Sequence, residues 1–111
     1  MDARAVAEGL KKNVVEANTA TYLACLRSAD GATNPVWVNG HRLFRSLDTR
    51  SQEVFIAFMK NVVVDSVSSV LAVIDGVAVL DGQDGEVIMK CGRDEISGDL
   101  QDEFLALFEE K

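Results

Sequence analysis

One histidine in 111 residues leaves little room for acid–base or metal chemistry, because His is the side chain best suited to either near neutral pH. The two cysteines, Cys25 and Cys91, stand outside any CxxC or ligand-spaced cluster, which excludes the usual zinc frameworks. In a reducing compartment both read as small apolar residues rather than a disulfide. Long uncharged runs are missing as well. The longest stretch without Asp, Glu, Lys or Arg is residues 31–41, against the roughly 20 apolar residues of a membrane span. Asp2 and Glu8 lie where a secretory leader would carry a basic end and an unbroken apolar core. A cytoplasmic protein with no membrane contact is expected. No phosphate loop, dinucleotide fingerprint, HExxH motif or internal repeat occurs, so no cofactor is expected either.

What is abundant is acid, and it is unevenly placed. The net charge is −7. Residues 1–74 carry eight basic and seven acidic side chains, whereas residues 75–111 carry three and eleven. The last third therefore holds a net −8, a field that disfavours nucleic acid and suits a basic protein partner. Hydrophobic residues at 48% are enough for one folded domain over residues 1–111.

Apolar spacing predicts an α+β, predominantly helical fold. Val6, Leu10, Val14 and Ala17 mark a long amphipathic helix over 3–27, with a second stripe of Val15, Tyr22 and Leu26 and a competing break at Asn18–Thr21. Asn34–Pro35 suits the start of a short helix over 35–46, although Asn39–Gly40 between apolar residues equally signals a hairpin. Thr49 and Gln52 match a capping box for a helix over 50–74 ending at Asp75–Gly76; its β-branched content leaves a break near Val64 followed by a strand as the rival. Alternation then predicts a β-hairpin over 77–91, with Asp84–Gly85 as the turn, Leu80 opposite Met89 and Ala78 opposite Cys91. Gly98–Asp99 opens an acidic helix over 99–109, apolar on the Leu100, Phe104, Leu107 and Phe108 side.

Three groups of residues invite a chemical reading. The segment "LDGQDGEV" offers Asp81, Asp84 and Glu86 as weak metal ligands, but started at Asp81 it puts Gly85 and Glu86 at positions 5 and 6 of a calcium loop, where an oxygen ligand and a glycine belong. Turn geometry explains the same glycines. Cys25 and His41 could in principle form a nucleophile–base pair with a carboxylate, without any local signature to support it. Asp65, set among valines, is either a carboxylate paired with Arg42, Arg45 or Arg50 or a general base. Ser66, Ser68 and Ser69 would allow close approach of another helix, including one from a second copy of the chain. The reading that results is a non-enzymatic, acidic interaction domain, of the kind a bacterial immunity or antitoxin protein presents to a basic toxin. Asp81, Glu86, Asp99, Asp102, Glu103, Glu109 and Glu110 are its expected contact residues. A small metal-dependent regulator or enzyme, and a structural homodimer, are the alternatives.

Overall fold

Side chains placed at helix ends organise this chain. The structure, a computed structural model, describes residues 1–109. Asp2 accepts the Ala5 N–H at 2.9 Å and starts α1, Ala3–Leu10. The helix continues without a break through a π-helical stretch, Lys11–Glu16, into α2, Ala17–Arg27. Bonding from i to i+5 takes up extra residues per turn, and the inward stripe rotates accordingly: Ala7 is buried before the stretch, and Val15, Thr19 and Leu26 from it onward. Of the two stripes, Val6, Leu10 and Val14 are half-buried and Val15 and Leu26 buried, whereas Ala17 and Tyr22 are exposed, and no break falls at Asn18–Thr21. Thr19 is buried with its hydroxyl donating to the Val15 carbonyl at 2.7 Å, so burial leaves it satisfied.

Asn34 accepts from Val36 N–H at 2.9 Å and Pro35 occupies the first turn of α3, Pro35–Ser46. That start decides the ambiguity at Asn39–Gly40 in favour of helix. Gly40 faces Leu26, whose methyl carbon lies 3.6 Å from where a Cβ would stand, an ordinary van der Waals distance. α4 spans Thr49–Ile74 as one helix, with no strand after Val64. Its cap is Asp48, accepting from Ser51 N–H at 2.7 Å, rather than the Thr49–Gln52 box. Gln52 instead reaches back to donate to the Phe44 carbonyl at 2.9 Å, closing the end of α3.

The Asp75–Gly76 stop is a Schellman motif. Gly76 has φ +79°, its N–H bonds the Val73 carbonyl, and the Val77 N–H bonds the Ala72 carbonyl at 2.8 Å. Because Val77 and Ala78 both donate to Ala72, neither amide is available to a strand, and the predicted hairpin over 77–91 does not form. The hairpin lies further on: β1, Lys90–Cys91, pairs antiparallel with β2, Asp94–Glu95, in the register Lys90 to Glu95 and Cys91 to Asp94. Its two-residue turn is Gly92–Arg93, with glycine at the first position at φ +63° as a type II′ turn requires.

α5 covers Leu100–Ala106, shorter than the 99–109 expected. Asp99 makes no side-chain cap. The cap comes from Asp75: Oδ1 accepts from Gly98 N–H at 2.6 Å and Leu100 N–H at 3.2 Å, and Oδ2 accepts from Gln101 N–H at 2.8 Å. Gln101 completes the clamp by donating from Nε2 to the Ser68 hydroxyl at 3.0 Å. The end of α4 and the start of α5 are thereby fastened together over the core, in which Leu71, Leu100 and Phe104 meet Ala7 and Val15, with Leu10, Val67 and Met89 packed around them. A smaller apolar contact joins α2 to α3 and α3 to α4 through Leu26, Phe44 and Phe55.

The arrangement is an extended one. The radius of gyration is 17.2 Å, against about 13 Å for a compact domain of this length. The exposed surface is 7750 Å², where about 6,000 Å² is usual for a compact monomer of this mass. Much of the apolar surface of α4 and of the loop after it has no cover within the chain.

Asp75→Ala is expected to lower unfolding free energy by about 2–3 kcal/mol in a urea titration, by stranding the N–H groups it accepts from. A change below about 0.5 kcal/mol would remove its assigned role. Asp48 is held below the usual carboxylate range by its hydrogen bonds from the Ser51 side chain and backbone. Its folded-state pKa is depressed, so its stabilisation is present above the unfolded value of 3.8 and is lost as pH falls through the folded one. Melting-temperature profiles should show Asp48→Asn less stable than wild type at pH 7, with the gap closing toward pH 2.

Candidate functional site

The residues that suggested chemistry are employed elsewhere. His41 donates from Nδ1–H to the Leu26 carbonyl at 2.7 Å, satisfying an acceptor left free near the end of α2. No hydrogen bond links it to Cys25, and both cysteines are half-buried free thiols. Asp65 is exposed and accepts from Asn61 Nδ2 at 3.3 Å, its one side-chain hydrogen bond among the described residues. It forms no ion pair with Arg42, Arg45 or Arg50, so the expected arginine pairing is corrected. Arg50 pairs with Glu53 at 4.0 Å on its own helix, and Arg42 donates to Asn39 at 3.4 Å.

The segment "LDGQDGEV" turns at Asp81–Gly82, not at Asp84–Gly85. The Gln83 N–H donates to the Leu80 carbonyl at 3.0 Å across the turn, and Gly82 takes φ +80° while Gly85 stays out of the left-handed region. Gln83 explains the choice. Its Oε1 accepts from Leu80 N–H at 3.0 Å and its Nε2 donates to the Gly85 carbonyl at 2.8 Å, so one side chain satisfies backbone groups that strand pairing would otherwise need. Among the described residues no three His, Cys, Asp or Glu side chains are placed to hold a metal ion. Asp81, Asp84 and Glu86 are therefore not brought together as ligands.

The acidic contact residues separate into two groups. Asp81, Glu86, Asp99, Asp102 and Glu109 are exposed and form no ion pair among the described residues. Glu103 is half-buried and receives Arg4 Nη1 at 3.3 Å, while Arg4 Nε bonds Glu8 at 3.2 Å. Those hydrogen bonds, to Glu103 first and then Glu8, push the Arg4 guanidinium further above its ordinary range. Glu103 thus holds α5 to α1 and is not a free acid. Glu110 lies outside the described residues.

One depression among the described residues was not anticipated. An open cleft of about 930 Å³ lies between the start of α1 and the β1–β2 hairpin, and Arg93, Asp94, Glu95 and Asp99 line it with Asp2. The tight Gly92–Arg93 turn is what brings Asp94 and Glu95 there. A residue pair such as "GR" between two short polar strands carries too weak a pattern to be read against the stronger alternation upstream. Asp81 and Glu86 do not reach this cleft.

The fold and its acidic surface define a small, predominantly helical α+β domain with an extended helical frame. Comparison with protein-family models, with curated proteins and with solved structures found no match.

Calorimetric titration with calcium is expected to give no saturable heat. Asp84→Ala should leave stability within about 0.5 kcal/mol of wild type, as for an exposed side chain without partners.

Proposed function

We propose that this chain is a non-enzymatic, cytoplasmic interaction domain that presents an acidic face to a basic protein, in the manner of a bacterial immunity or antitoxin protein. The observation that carries the reading is the cleft bordered by Asp94, Glu95 and Asp99 in a chain segment of net −8. Asp94, Glu95 and Asp99 form no ion pair among the described residues; Arg93 lines the same cleft, and the three carboxylates outnumber it, so a partner's Lys or Arg would meet an acidic excess. The cleft is open, which suits an inserted basic side chain or loop better than an enclosed small molecule. Clusters of this kind act chiefly on encounter rate and on the choice between partners.

The reading predicts a salt-sensitive complex. Partner capture by wild-type protein should be strong at about 50 mM salt and lost by about 500 mM, because exposed charges are screened within a few ångströms there. Asp94→Asn/Glu95→Gln/Asp99→Asn should fail to capture the same partner at low salt while keeping its helical circular dichroism. A partner with neutral or acidic character, or one held equally by the triple variant, would contradict the proposal.

A further inference from the structure

On α4 every fourth residue from 54 to 70 is exposed: Val54 at 53%, Phe58 at 72%, Val62 at 51%, Ser66, and Val70 at 59%. These five form one continuous i±4 ridge, the kind that packs between the ridges of another helix. None is charged. The single hydroxyl on it, Ser66 Oγ, already donates to the Val62 carbonyl at 2.7 Å, so covering the ridge strands no donor. We infer that this ridge is the seam of a homodimer, with α4 crossing α4 of a second copy on a two-fold axis at Val62.

The ridge is self-complementary about that residue. Helical rise places Phe58 and Ser66 each about 6 Å from Val62, and Val54 and Val70 each about 12 Å away. A two-fold axis at Val62 therefore sets Phe58 of each copy against Ser66 of the other, large against small, while Val54 and Val70, turned to either side of the helix, border the contact. Beside the ridge runs an apolar groove of about 500 Å³ whose walls include Tyr22, Met59, Val62, Val63 and Ser66. It offers the space into which Phe58 of the second copy fits.

Surface area argues for an occupant of this size. The chain exposes 7750 Å², about 1,700 Å² more than a compact monomer of its mass, and a standard interface needs about 800 Å² from each partner. Charge argues for a copy rather than for lipid. α4 is long and apolar enough to cross a membrane, with a mean hydropathy of 1.6 over 18 residues, yet Lys60 and Asp65 lie near its midpoint with no ion pair among the described residues, an expensive placement in hydrocarbon. α4 also carries Arg50 and Glu53 and is neutral overall, so two copies meet along it without the repulsion that the acidic third would impose. The dimer does not rest on the acidic-face reading and can fail separately from it.

The test is symmetric crosslinking. In a Cys25→Ser/Cys91→Ser background, Val62→Cys is expected to oxidise to a covalent dimer, while Val36→Cys, 70% exposed on α3, stays monomeric. Sedimentation equilibrium of the unmodified protein should give twice the 12.0 kDa chain mass at micromolar concentration, and Phe58→Asp should weaken association at least about 30-fold. Phe58→Asp that misfolds leaves the Val62→Cys result to decide. A 12.0 kDa species at about 50 μM, equal crosslinking at positions 36 and 62, or a monomer that floats with phosphatidylcholine–phosphatidylglycerol vesicles would each overturn the dimer.

Discussion

The carboxylate of Asp75 is the constraint on which the remainder of the structure depends. It sits at the last turn of α4, where a helix has no donors left to offer, and it accepts three N–H groups at the start of α5. One side chain thus ends its own helix and begins another. The clamp fixes α5 across α4, and that placement buries Leu100 and Phe104 completely. Lys11 secures the other end of α5, lying 5.2 Å above the Phe108 ring and donating to the Leu107 carbonyl at 3.4 Å. With the Arg4–Glu103 pair, α5 is tied to both α1 and α4.

The same device recurs in the other half of the chain. His41 closes α2 and Gln52 closes α3, each by donating to a carbonyl near the helix end. His41 is the polar residue that catalytic reasoning would first select, and a backbone carbonyl claims it. Helix ends need partners whenever they are not fully in water. A thin core makes that need decisive, since few apolar contacts hold the helices at their angles: among the large side chains of the described residues only Leu100 and Phe104 are fully enclosed.

Much of the helical frame was legible because it depends on local spacing. The stripe of Leu100, Phe104, Leu107 and Phe108, the Asn34–Pro35 start and the Asp75–Gly76 stop each report within one or two turns of chain. The β-hairpin was misplaced because alternation at Val77–Leu80 looks like a strand until the Schellman motif takes the Val77 and Ala78 amides. A turn at Asp81–Gly82 loses the apolar cross-strand pairing that the alternation favours, and it is set instead by the two side-chain bonds of Gln83. Asp75 itself was visible only as a stop signal. The N–H groups that donate to it lie 23 to 26 residues on, and no local pattern encodes that separation. The candidate cleft was hidden for a similar reason, as Asp94 and Glu95 reach the start of α1 only through the fold.

Stability and function meet in how little of α4 the chain covers for itself. Its second half packs on α1 and α5 through Val63, Val67, Leu71 and Ile74, while the ridge from Val54 to Val70 is left outside. Native-state hydrogen exchange across a denaturant series tests most directly whether the Asp75 clamp makes α5 and the end of α4 one unit. The account predicts that amides of Leu100–Ala106 and those around Leu71 open with the same free energy and the same denaturant dependence. Exchange of α5 through its own low-energy opening, with the end of α4 still protected, would contradict it.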